Sequence, residues 1–165
     1  MDDSSWAAVG AVSSTIYTVG FVASMGFLLR QVRETRLARE TEVLMKLYDR
    51  LIAIREKRML VFDSSKRLAA VANLVAWDTI RRDQPVLAEA VNSVSMEYHL
   101  AGLMLRQGLL KEPVRAAFLK DIGEVFLQLY AILLPVVQLE RERSGITYRT
   151  QLDYLAKQVR SVLRH

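Results

Sequence analysis

Apolar residues recur at helical spacing along almost the whole chain, and no stretch alternates apolar and polar positions as a half-buried strand would. Residues 6–29 carry no charged side chain at all. Beyond them the pattern becomes amphipathic. Leu37, Leu44 and Leu51 repeat every seventh residue, with Leu47, Ile54 and Val61 at the alternate positions. No proline or glycine interrupts residues 30–62, so the spacing predicts a helix continuous with the apolar segment. Asp63-Ser64-Ser65 breaks it and can cap a helix over 66–80 that carries Leu68, Val71, Leu74, Val75 and Trp77. Arg81-Arg82-Asp83-Gln84-Pro85 reads as a connection, with Pro85 suited to a first helical turn.

A third amphipathic helix shows Leu87, Val91, Val94, Tyr98, Ala101 and Leu105 on one face and ends at Gly108. Glu112-Pro113 opens a fourth, striped by Phe118, Ile122, Val125, Leu129, Ile132 and Val136, with a kink expected at Pro135. Its apolar run 126–139 is short for a bilayer and holds Gln128, Pro135 and Gln138, which favours a buried core helix over a second span. Ser144-Gly145 ends it, and a last helix presents Tyr148, Leu152, Leu155, Val159 and Val162. The predicted fold is all-α: one N-terminal transmembrane helix continuing into a cytoplasmic helical bundle. Residues 1–5 form a short extracytoplasmic N-terminus, 6–29 the transmembrane helix, 30–62 the basic juxtamembrane and first bundle helix, and 66–165 the remaining helices.

At ~1.5 Å per residue, residues 6–29 span a hydrocarbon core of ~30 Å. Ser4 and Ser5 can cap the start, Asp2 and Asp3 suit the positive end of the helix dipole, and Trp6 falls at headgroup level. Arg30, Arg33, Arg36 and Arg39 follow the segment, and no Lys or Arg precedes it. The positive-inside rule then places the N-terminus outside a bacterial inner membrane and the rest in the cytoplasm. A cleaved secretory signal is the main alternative. It requires a positive start, a shorter apolar stretch and a small-residue cleavage site, whereas this segment begins acidic and ends Phe27-Leu28-Leu29-Arg30. A buried core helix is the other, because Ser13, Ser14, Thr15, Thr18 and Ser24 temper the hydrophobicity. Gly10, Ser13, Tyr17, Gly20 and Ser24 recur in steps of three and four on one face. Small residues there let two backbones approach in lipid, so self-association is expected through this face; the bland alternative is that such residues are common in spans.

The 165 residues carry a net charge of +5, mostly through arginine, in an alanine- and leucine-rich background that suggests a GC-rich bacterial genome. The chain has no cysteine, which excludes disulfides, zinc–thiolate sites and cysteine nucleophiles. Juxtamembrane arginines attract anionic headgroups at ~1 kcal/mol each, although setting topology is role enough for them. Nucleic acid is a poor partner: no recognition motif occurs, and Glu34, Glu40 and Glu42 dilute the basic collar.

Several segments carry a family resemblance. They are Glu97-Tyr98-His99-Leu100-Ala101, Arg106-Gln107-Gly108-Leu109-Leu110, Leu133-Leu134-Pro135-Val136-Val137 leading into Glu140-Arg141-Glu142-Arg143, and the closing Tyr148 with residues 152–155. With the apolar N-terminal span before them, they resemble the bacterial domain-of-unknown-function family 4760 over nearly the whole chain. The resemblance implies a small membrane-anchored helical protein and supplies neither an activity nor catalytic residues.

No phosphate-binding glycine loop, dinucleotide fingerprint, nucleophile elbow or zinc-protease motif is present. His99 is the one internal histidine. It reads as structural or solvated, against a pH-sensing or ligand role. Asp121 and Glu124 share a helix face, where pairing with Lys120 or an arginine competes with acid–base chemistry. No catalytic residue, metal ligand or cofactor is expected. The expectation is a membrane-anchored interaction module acting as scaffold, sensor or accessory subunit, with anionic lipid headgroups and a protein partner or second copy. The alternative is a tethered enzyme or effector with a site near His99, Asp121 and Glu124.

Overall fold

The computed structural model describes the backbone of residues 3–164 and the side chains of residues 24–164. Within these limits the chain is all-helical: α1 (Asp3–Ala53), α2 (Arg55–Asp63), α3 (Ser65–Ala69), α4 (Leu74–Asp83), α5 (Pro85–Arg106), α6 (Val114–Ser144) and α7 (Thr150–Leu163). It divides into two compact units, Met1–Thr41 and Glu42–His165.

The first unit is formed by α1. Residues 24–39 are exposed throughout, and Arg30 Nε donates to Glu34 Oε1 one turn on, at 2.8 Å. The side chains of Trp6, Gly10, Ser13, Tyr17 and Gly20 lie outside the described residues, and with them most of the expected span. Ser24 is exposed.

The second unit closes a core of its own. Leu47, Leu51 and Val61 are buried in it, whereas Leu37 is 53% exposed, so the seven-residue seam reaches only as far back as Leu44. The expected unbroken helix through residue 62 stops at Ile54 (φ −94°, ψ 11°), although no glycine or proline is there. Ile54 is itself buried, and α2 beyond it packs on α5 and α6, so tertiary packing overrides local propensity. The predicted helix 66–80 is also two. Asn73 adopts an extended conformation and its side chain accepts from Ala76 N at 2.9 Å, starting α4 afresh. Ser64 makes no such side-chain bond. α4 then runs to Asp83, which shrinks the expected connection to Gln84 before Pro85 opens α5.

All six residues of the predicted α5 face are buried, and Gly108 adopts the left-handed conformation (φ +70°) just past the helix end. α6 continues through Pro135 to Ser144. Its predicted stripe holds at Phe118, Ile122, Leu129 and Val136. Val125 is 42% exposed, and Phe126 and Leu133 are buried instead. The reason is that α6 meets α2, α3, α4, α5 and α7, so neighbours approach it from more than one side. Among the described residues α6 is the one helix long and apolar enough to cross a membrane. Phe118, Phe126, Leu129 and Leu133 bury it in the core of the second unit.

α7 lies against both α5 and α6. The approach to α5 is close enough to require glycine: a Cβ on Gly102 would lie 2.3 Å from the Gln151 carbonyl oxygen. The α6–α7 joint contains Gly145 at φ +98° and Arg149 at φ +54°, the latter a left-handed conformation that is uncommon for a residue with a side chain.

Candidate ligand pocket

A cavity of about 300 Å³ opens where α4, α5, α6 and the α6–α7 joint meet. Each wall follows from local structure. The Asn73 cap sets the start of α4, and one turn on Trp77 is 3% exposed. Val136, Val137 and Glu140 share one face of α6, so the spacing that buries two valines also brings a carboxylate inward. The Glu140 side chain is 13% exposed.

A carboxylate this far from water requires partners. Trp77 Nε1 donates to Glu140 Oε1 at 2.7 Å, Arg81 Nη1 stands at 3.5 Å and Arg143 Nη1 at 3.8 Å from the same oxygen. Arg143 also binds both oxygens of Asp78 at 2.6 Å. The Arg143 hydrogen bonding holds the exposed Asp78 carboxyl below its ordinary range, with slight desolvation opposing it and the charges of Arg143 and Arg81 adding to it. The indole and the two guanidinium groups thus tie α4 to α6 and orient the carboxylate between them.

From α5, Ser95 is 1% exposed and its hydroxyl donates to Asn92 O at 3.0 Å. The Asn92 side-chain oxygen accepts from Arg149 Nη2 at 2.8 Å. Arg149 in turn lies over the Tyr148 ring, 4.8 Å from its centroid. Arg141 clamps the joint from below: Nε donates to Tyr148 O at 2.9 Å, and Nη2 to Asp153 Oδ2 at 2.6 Å and Arg149 O at 3.3 Å. The left-handed Arg149 backbone is therefore held in place beside the cavity that Tyr148 lines. Strain of this kind concentrates where a binding surface is positioned. Apolar walls, two aromatic rings and a few converging polar groups have the make-up of a small-molecule pocket.

The residues singled out by sequence lie elsewhere. Arg30, Arg33, Arg36 and Arg39 are all exposed on α1. His99 is half-buried on α5, and its Nδ1 accepts from Gln151 N at 3.4 Å. Burial lowers its pKa below 6.5, the Arg149 charge adds to this, and a backbone hydrogen bond at Arg149 opposes it. Asp121 is exposed on α6 beside Tyr48, whose hydroxyl is pushed up to about 12 by burial and by the Asp121 carboxylate. Glu124 is exposed. Among the described residues no hydrogen bond or ion pair joins His99 to Asp121 or Glu124. No group of three His, Cys, Asp or Glu is placed to hold a metal among them.

Sequence reasoning missed the pocket. Glu140 stands out there only within Glu140-Arg141-Glu142-Arg143. The usable signal is its spacing from Val136 and Val137, which continues a core face with a carboxylate. No family model matches the chain, and no curated protein or solved structure matches it either.

Proposed function

We propose that the chain is a membrane-tethered helical interaction module, a scaffold, sensor or accessory subunit. In this reading residues 6–29 cross the bacterial inner membrane with the N-terminus outside, and the second unit is carried in the cytoplasm. The supporting observation is the described part of α1 in the first unit. Phe27, Leu28, Leu29 and Val32 are between 55% and 67% exposed, and Arg30, Arg33, Arg36 and Arg39 are exposed among and beyond them. An apolar run uncovered by protein and followed by a ring of cations matches a lipid-facing helix end at a cytoplasmic interface. The same arginines are placed to meet anionic headgroups. The resemblance to the bacterial family 4760 belongs to the same proposal and adds no functional residue. Partners recognised through helix faces, including a second copy through Gly10, Ser13, Tyr17, Gly20 and Ser24, fit this reading better than catalysis.

A reporter fused after His165, read together with alkaline extraction of membranes, tests it. The expected result is membrane retention with cytoplasmic reporter activity. Release into the soluble fraction would sink the anchor, and periplasmic activity would reverse the topology.

A further inference from the structure

The cavity between α4, α5 and α6 has a directional chemistry that the tethering role does not use. Trp77 and Arg81 both donate to Glu140 Oε1, and Arg143 Nη1 stands 3.8 Å from the same oxygen. Among the described residues Oε2 accepts from none of them. Ser95 has already placed its proton on Asn92 O, so its oxygen can only accept. The cavity lining therefore offers acceptors, and one of them is a carboxylate. Trp77 and Tyr148 add aromatic rings, although Arg149 already lies over the Tyr148 ring. Glu89 at the lining carries a second carboxylate, held by Lys57 at 2.7 Å, and Arg81 is the one cation among the lining residues.

We infer that this cavity binds a small organic molecule through a primary ammonium group, with Glu140 Oε2 and Ser95 Oγ as its acceptors and the aromatic rings covering its carbon skeleton. A volume of about 300 Å³ limits the occupant to metabolite size. An ammonium donates three hydrogen bonds and accepts none, which matches the acceptors that Glu140 and Ser95 bring to the lining. An alcohol of the same shape lacks the charge, and a carboxylate would meet Glu140 with like charge. The site lies wholly within the second unit, so the inference stands apart from the anchor.

Phenethylamine and its oxygen counterpart 2-phenylethanol serve as probes. They are titrated into the full-length protein in nonionic micelles, with Trp6→Phe as background so that Trp77 is the fluorophore. Saturable quenching or a spectral shift by the amine is expected at a Kd on the order of 0.1–1 mM, from the ligand's size. The alcohol should bind at least about tenfold more weakly, as should the amine to Glu140→Gln, since a charged hydrogen bond is lost. Ala88→Leu, which fills the cavity without touching the carboxylate, should abolish binding as well and covers the case in which Glu140→Gln misfolds. Circular dichroism identifies that case. No saturable response to the amine, equal binding of amine and alcohol, or unchanged binding in folded Glu140→Gln or Ala88→Leu would each overturn the inference.

Discussion

Leu28 and Leu105 are the same side chain on the same kind of backbone, and they are 55% and 1% exposed. Leu105 lies on α5, where α2, α4, α6 and α7 supply neighbours. Leu28 stands among Phe27, Leu29 and Val32 on α1, all of them exposed. Hydrophobic residues are equally ready to leave water in both places. The difference lies in what covers them: the second unit provides its own helices, and nothing described covers the apolar side chains of the first. Hydropathy alone ranks these regions poorly, since α6 is apolar enough to span a bilayer and is instead built into a core.

The largest test of this contrast removes one side of it. A chain beginning at Arg36 is expected to lose membrane retention entirely while keeping its helicity and a cooperative thermal melt. Sedimentation and circular dichroism check both. Aggregation or unfolding would mean that the first 35 residues complete the core. Next, Phe126→Ala should lower stability by about 3–5 kcal/mol by opening a core cavity, whereas Phe27→Ala should stay within about 0.5 kcal/mol, as surface changes do. Denaturant unfolding followed by circular dichroism measures the pair, and equal losses would erase the distinction between the regions.

Glycines sharpen it further. Gly102→Ala drives a methyl into the Gln151 carbonyl and should cost about 1–3 kcal/mol. Gly26 has nothing within 4 Å, so Gly26→Ala should be neutral or slightly stabilising through helix propensity. If both variants melt alike, the α5–α7 contact is looser than described. In the proposed span, Gly20→Ile should weaken pairing several-fold in a transmembrane-association reporter at equal membrane abundance, because small residues are what permit close packing in lipid. Absence of pairing in the unaltered span would leave that face without a role.

The smallest effect expected is a pH dependence at His99. Its folded pKa lies below the unfolded 6.5. The unfolded chain therefore takes up the proton first as pH falls. This residue's contribution is complete above pH 6.5 and declines as pH drops from there toward the lowered folded value. The melting temperature should fall less between pH 7.5 and 5.5 in His99→Gln than in the unaltered protein. Parallel curves would show that the imidazole is indifferent to folding.

How far the sequence reveals this structure depends on how many sides of a helix are covered. The predicted α5 face is buried without exception from Leu87 to Leu105, although four helices pack on α5, because its large apolar residues fall on that face. α6 defeats the same method: Val125 faces out and Phe126 in, since its neighbours surround more than one face and no single stripe exists. The break at Ile54 has no local cause to read. Asn73 did have one, a capping residue just before Leu74, hidden inside an otherwise helical pattern. The arginine collar is legible as charge, and its four side chains are exposed. The pocket was not, because its floor depends on a tryptophan and a glutamate 63 positions apart meeting across α4 and α6.

The position of α7 has a consequence in time. It follows α5 and α6 in the chain and touches both. Until residues 150–163 have left the ribosome, the surfaces around Gly102 and Gly123, which receive Gln151, Val159 and Leu163, have nothing to receive. Between the emergence of α6 and that of α7, the nascent protein therefore carries an open apolar cleft, the kind of surface on which newly made chains aggregate. Its closure coincides with the arrival of α7. A premature stop codon that deletes α7 would accordingly leave an unfinished fold exposed to chaperones and proteases, rather than a shorter working one.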